Sequence, residues 1–211
     1  MEYIDLDTWK RKEHFNFFHG MDYPQFNICA NIDATNFLKF VKAKRISFYY
    51  AMIFASAYAA NEISDFRYRI RENQVILHDM VHPSFTDLNE AETDLFKLVT
   101  VEMQDDLLEF VKFVEAKSKN QKVYFDLQQQ LGRDDLLYIT CVPWISFTHL
   151  SHTISLNKND SVPRISWGKY FYDHNQVLLP FSVQVNHALM DGIHIGRYFS
   201  YLQSYIDNLL R

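Results

Sequence analysis

Apolar and polar residues alternate along this chain with two different periods. A polar, amphipathic opening from Asp7 to Phe18 leads into Phe26 to Ile32, where a period of two predicts a strand. Asp33 then stands as a helix cap, with Phe37, Leu38, Phe40 and Val41 at helical spacing behind it, and Ser47 caps a second, more apolar helix from Phe48 to Asn61. Short strands are expected at Val75 to Leu77 and Ser84 to Thr86, with Asn73 in the turn between Arg69 and Val75. A long amphipathic helix follows from about Asp105 to Lys119, and after it come three strand candidates: Leu137 to Val142, Arg164 to Phe171 and Val177 to Val185. The last helix is expected from near Asp191, carrying Ile195, Tyr198, Phe199, Leu202, Ile206 and Leu209 on one face. No internal repeat is present. Helices and strands interleave without the regular alternation of a doubly wound sheet, which predicts an α/β two-layer sandwich with a mixed β-sheet.

Composition narrows what such a fold can do. The chain has 211 residues with only five Gly and five Pro, and no low-complexity tract, so a single domain over residues 1–211 is expected. A formal net charge of -5 without a basic cluster argues against a nucleic-acid groove, which needs Lys and Arg gathered on one face. Cys29 and Cys141 lie far apart in apolar surroundings, without the spacing of a metal or redox site, and are expected to be reduced thiols of a cytoplasmic protein. The opening MEYIDLDTWKRKEHF lacks an apolar signal core. The longest apolar run, Tyr49 to Ala60, is interrupted by Ser56 and is too short to span a bilayer, so no membrane partner is expected. Aromatic residues make up 16% of the chain, which suits apolar pockets, a subunit contact or an aromatic core equally well.

The candidate chemistry gathers at Val183 to Arg197, VQVNHALMDGIHIGR. Here an alternating strand delivers His187, and four residues later Asp191-Gly192 breaks the chain before the last amphipathic run. An imidazole with an unperturbed pKa of about 6.5 is the side chain best suited to move a proton near neutrality, and a strand end beside a turn keeps it both aimed and reachable. HxxxD alone is a weak signal. The basic stretch Trp9-Lys10-Arg11-Lys12-Glu13-His14-Phe15 adds a cation able to neutralise a buried Asp191. His149 and His152, three apart beside a loop, suit a metal only if further ligands converge, and the sequence offers none, so no metal is expected.

Ordered blocks along nearly the whole chain carry a resemblance: WKRKEHF (9 to 15), FLKFVKAKRISFYYAMI (37 to 53), DFRYRIRENQVILHDMVHPSFT (65 to 86), VPWISFT (142 to 148), WGKYF (167 to 171) and LLPFSVQVNHALMDGIHIGRYFSYLQ (178 to 203). In these the sequence resembles the chloramphenicol acetyltransferases, trimeric enzymes of the CoA-dependent acyltransferase fold shared with dihydrolipoyl acyltransferase cores. The resemblance implies that His187 is the general base taking the proton from an acceptor hydroxyl, whose oxygen attacks the thioester of acetyl-CoA directly. Thr140 falls where the family has a serine that steadies the oxyanion. Asp191 and Arg11 match a structural ion pair, and Tyr49, Trp144, Lys169 and Tyr170 match positions along the CoA tunnel. Ser166 stands where a threonine acts through water near the reacting centre. Phe18, Phe26 and Tyr138 fall among positions that shape the acceptor pocket, and His194 matches a family histidine that is not the base.

Acetyl-CoA is then a co-substrate, with no cofactor permanently bound, and the resemblance implies a homotrimer with active sites between subunits. The departures concern the acceptor. Asn186 replaces a second histidine before the base, Met190 stands where cysteine is common, Phe18 stands where tyrosine lies beside the imidazole, and His149 to Val162 is more polar than the matching family segment. Pocket linings tune discrimination while the base and thioester site set the reaction. Two alternatives follow: the same chemistry on another small hydroxyl or thiol acceptor, and a catalytically silent trimer serving as a binding protein.

Overall fold

The computed structural model of the chain describes residues 1–89, 92–153 and 156–210, so residues 154 and 155 of the polar stretch His149 to Val162 lie outside the described residues. The elements in chain order are β1 (Glu2–Tyr3), α1 (Lys12–His19), β2 (Gln25–Asp33), α2 (Thr35–Lys44), α3 (Phe48–Asn61), a 3-10 turn (Ser64–Arg67), β3 (Tyr68–Arg71), β4 (Gln74–Leu77), β5 (His82–Asn89) and β6 (Glu92–Thr100). There follow α4 (Leu107–Asn120), α5 (Leu127–Gln130), β7 (Leu136–Val142), β8 (Arg164–Gly168), β9 (Phe171–Asp173), β10 (Gln176–Asn186) and α6 (Gly192–Asn208).

The main sheet runs β2-β10-β8-β7-β5-β6, with β9 also paired to β10, and a small separate sheet runs β1-β4-β3. Strands β7 and β8, and β5 and β7, pair in parallel; β10 with β2 and with β8, and β5 with β6, pair antiparallel. The sheet is therefore mixed, as the irregular order of elements predicts. One of its faces packs under helices. Phe85, Ile139, Ile165, Phe181 and Val183 meet α3, which buries Met52, Ile53 and Phe54, and α6, which buries Ile195, Tyr198, Leu202 and Ile206. Each such aliphatic or aromatic side chain contributes about 1.5–3 kcal/mol by leaving water.

The opposite face follows from the same period of two, and it is polar. Register sets Ser84 beside Tyr138, Tyr138 beside Arg164, and Arg164 beside Gln184; one step along, Thr140 lies beside Ser166 and Ser166 beside Ser182.

Several expected boundaries move. The position before α2 is Ala34, although the Asp33 carboxylate still accepts the Thr35 N–H at 2.9 Å. Ser47 caps α3 as expected, accepting the Tyr50 N–H at 3.3 Å, while Asp106 caps α4 through the Glu109 N–H at 2.9 Å. The expected strand Arg164 to Phe171 is divided into β8 and β9. At the break the Lys169 N–H turns to the Ile145 carbonyl at 2.8 Å, and a Cβ on Gly168 would stand 2.6 Å from that same oxygen. Gly168 lets the segment after β7 cross directly over the end of β8. Strand β6 was not among the expected elements, and it extends β5 well past Ser84 to Thr86.

Candidate active site

His187 follows the last residue of β10, where Asn186 shapes the turn: its side-chain carbonyl accepts the Ala188 N–H at 2.9 Å and its backbone carbonyl accepts the Leu189 N–H at 3.1 Å. The His187 N–H is tied to the Pro24 carbonyl at 2.6 Å. The imidazole stacks on Phe18, centroids 3.8 Å apart and rings within 10° of parallel, and meets Phe26 at 4.5 Å. Its Nδ1 lies 3.1 Å from the Met190 carbonyl oxygen and 3.2 Å from Asp191 Oδ1. Both neighbours can only accept, so Nδ1 carries the proton and Nε2 of the neutral ring is left with its lone pair. About a third of the side chain, 32%, is exposed. A fixed tautomer, a clamped ring and a reachable basic nitrogen are what a general base requires.

Arg11, on the residue preceding α1, holds this turn together. Its guanidinium donates to both Asp191 oxygens at 2.5 and 2.7 Å, to the His187 carbonyl at 2.7 Å and to the Ala188 carbonyl at 2.9 Å. The Arg11 fork, more than any other cause, holds the Asp191 carboxyl below the usual carboxylate range. His194 has a different duty. Its Nδ1 accepts the Asp191 N–H at 2.8 Å and its Nε2 lies 3.4 Å from Asp65, so it secures the start of α6.

A second constellation surrounds a cavity of about 800 Å³ above the polar face of the sheet. Thr140, Tyr138, Tyr49 and Trp144 line it, together with Thr86, Phe96, Phe125, His152 and Arg164. The Thr140 and Thr86 hydroxyls are 2.7 Å apart. Tyr49 donates to the Thr86 carbonyl, and burial raises its phenol well above the ordinary value. Trp144 is 67% exposed at the rim. Ser166 is fully buried, its hydroxyl 2.6 Å from His152 Nε2. Cys141 also borders the cavity, but burial pushes its thiol up to about 12, so it is no thiolate at neutral pH and a poor candidate for an acyl carrier. Lys169 and Tyr170 lie beyond β8 and outside the residues lining this cavity; Lys169 is exposed, and Tyr170 meets Phe48 at 5.9 Å.

The expected site residues therefore fall into two groups within one chain. His187, Arg11, Asp191, Phe18 and Phe26 form one; Thr140, Tyr138, Tyr49 and Trp144 form the other, with Ser166 beneath it through His152; and none of the first group lines the cavity. Thr86, His152 and Arg164 were not among the expected site residues. The signal for Thr86 and Arg164 lies in the strands themselves: SFT, YIT and RIS each place polar side chains at alternate positions of otherwise apolar segments, on the face turned from the helices, whereas His152 lies between β7 and β8 and has no such periodic signal.

Known proteins match this chain in sequence and in fold. The family model for chloramphenicol acetyltransferase matches residues 1–203. A chloramphenicol acetyltransferase of Klebsiella sp is 31% identical over 97% of this chain and 93% of its own length, and chloramphenicol acetyltransferase 2 of Haemophilus influenzae is 31% identical over 99% and 98%. A solved chloramphenicol acetyltransferase superposes with a TM-score of 0.88 at 24% identity, covering 97% of this chain and 99% of that one. The catalytic core of a 2-oxoacid dehydrogenase complex from Thermoplasma acidophilum shares the fold, with a TM-score of 0.68 at 12% identity and full coverage of both chains. Matched from end to end in sequence and fold, this chain belongs to the chloramphenicol acetyltransferase family.

Proposed function

We propose that this protein acetylates chloramphenicol or a close relative of it, with His187 Nε2 as general base and Thr140 as the oxyanion donor. Family membership makes acetyl-CoA the donor. The observation that carries the reading is the placing of His187 Nδ1 against two acceptors, the Met190 carbonyl at 3.1 Å and Asp191 Oδ1 at 3.2 Å, which favours the tautomer that leaves Nε2 to accept. An acceptor hydroxyl oxygen attacks the acetyl carbonyl carbon as its proton passes to Nε2. The oxyanion takes a hydrogen bond from the Thr140 hydroxyl, which is free to donate when it accepts from Thr86. The C–S bond then breaks, and the departing thiolate takes the proton back from the imidazolium. The products are the acetyl ester and free CoA, with no acyl-enzyme.

Tyr49, Trp144, Ser166, Lys169 and Tyr170 are assigned to the acetyl-CoA path, and Phe18, Phe26 and Tyr138 to the acceptor. Because His187 and its two rings do not line the Thr140 cavity of their own chain, we assign the working unit to a homotrimer in which one subunit's His187 serves its neighbour's cavity. The whole chain acts as one acetyltransferase domain in the cytoplasm. The test follows thiol release from acetyl-CoA in the presence of chloramphenicol. His187→Ala is expected to lower kcat by at least about 10²-fold, the lower end of what a positioned base contributes. A variant keeping most of the turnover would remove His187 from the mechanism.

A further inference from the structure

The cavity beside Thr140 contains polar atoms to which the steps of the reaction give no hydrogen-bond partner. His152 sits on the segment that covers the polar face of the sheet. Its backbone N–H donates to Gln184 Oε1 at 3.0 Å and its Nε2 meets the Ser166 hydroxyl at 2.6 Å, so both the main chain and the ring are fixed. Its Nδ1 has no partner among the described residues. Burial first, then the Arg164 cation, hold this imidazole down to about 4, so at working pH it is neutral and offers a single hydrogen-bonding nitrogen. Tyr138 is in the same position. Its ring lies 5.8 Å from the Arg164 guanidinium, and its hydroxyl has no partner among the described residues.

The charges inside are already spent. Arg164 is paired with Asp160 at 2.7 and 3.3 Å and donates to the Val162 carbonyl at 3.2 Å. Asp87 accepts from the Tyr50 hydroxyl at 2.7 Å and from the Ser118 hydroxyl at 2.5 Å. What remains for a ligand is neutral hydrogen bonding between apolar walls such as Phe96, Leu98 and Phe125.

We propose that His152, with Tyr138 beside it, binds a second, uncharged polar group of the acceptor, so that the cavity selects alcohols bearing a further hydroxyl or amide over apolar alcohols and anionic ones. This rests on the acetyl-transfer reading, since it takes the cavity to be the acceptor site. The physical reason is an asymmetry: an apolar ligand strips water from His152 Nδ1 and the Tyr138 hydroxyl and returns nothing, whereas a polar one replaces that water. Nearby Asp94 stands exposed at the rim and adds repulsion against anions.

The test compares wild type, His152→Leu and His152→Gln. Chloramphenicol, which carries a second hydroxyl and an amide, is the polar acceptor, and 3-phenylpropan-1-ol, with one hydroxyl, is read as an inhibitor against it. For His152→Leu we expect the chloramphenicol KM to rise about tenfold or more, the size of one lost buried hydrogen bond. Its kcat and acetyl-CoA KM should change by clearly less, since they feel only the loss of the Ser166 partner, and 3-phenylpropan-1-ol should bind more tightly. His152→Gln, which keeps a donor and an acceptor, should recover most of the lost affinity. An unchanged chloramphenicol KM in His152→Leu overturns the proposal, as does an equal loss in kcat and acetyl-CoA KM, which would make His152 a support for the fold. Absence of turnover in the wild type would defeat the acetyl-transfer reading instead. Calorimetric binding of chloramphenicol to the same variants then reads the His152 difference directly.

Discussion

Arg11 ties an N-terminal segment to a turn near the C-terminus, donating to Asp191 and to the carbonyls of His187 and Ala188. A lysine keeps the charge but has a single ammonium in place of the planar fork. Arg11→Lys is therefore expected to lower kcat more than KM, because the ring of His187 loses its frame. It should also cost about 1–3 kcal/mol in stability, less than a fully buried pair because Asp191 is 33% exposed; thermal melting and steady-state kinetics check both. Asp191 predicts a pH effect as well. Its folded pKa is depressed by Arg11, so the stability it adds is complete above the ordinary carboxylate value of about 3.9 and is lost as pH falls through the lower folded value. Asp191→Asn should melt lower at neutral pH and show a flatter acid limb; an acid limb identical to wild type would mean that the pair contributes nothing. The pairing itself was legible in the sequence through the resemblance. The contacts to the two carbonyls were not, because no pattern of residue types encodes which backbone oxygens a guanidinium meets across the fold.

Elements were legible where local signals agree. Ser47 before an apolar run marks α3, and the stripe from Ile195 to Ile206 marks α6. They were illegible where pairing decides. Strand β6 is an edge strand, hydrogen-bonded to β5 on one side, and its acidic start reads as a loop. The division of Arg164 to Phe171 depends on Ile145 crossing over Gly168, a contact between segments far apart in sequence. Gly168→Ala places a methyl 2.6 Å from the Ile145 carbonyl and must push the Trp144 segment outward. We expect a stability loss of about 1–3 kcal/mol and a raised acetyl-CoA KM. Unchanged melting and unchanged KM would show that this crossing does not shape the cavity.

At the scale of the whole molecule, the separation of His187 from the cavity residues makes the proposed trimer testable. His187→Ala and Thr140→Ala are each expected to be nearly inactive. Co-expressed, they should regain activity, since random mixing in a ring gives roughly a quarter of interfaces an intact His187 facing an intact Thr140 cavity. Mixed assemblies no more active than the separate variants would place both residues in one subunit's site and end the trimer assignment. The amino-acid sequence alone determined the periods of its strands and helices, the caps, and an imidazole four residues before an Asp-Gly turn, because these depend on neighbours within a few positions along the chain. Only the tertiary structure decided which nitrogen of His187 holds the proton, which polar residues face the cavity, and that His152 stands among them. Those are properties of strand register and packing, which bring together atoms from distant segments and fix what each has left to bind.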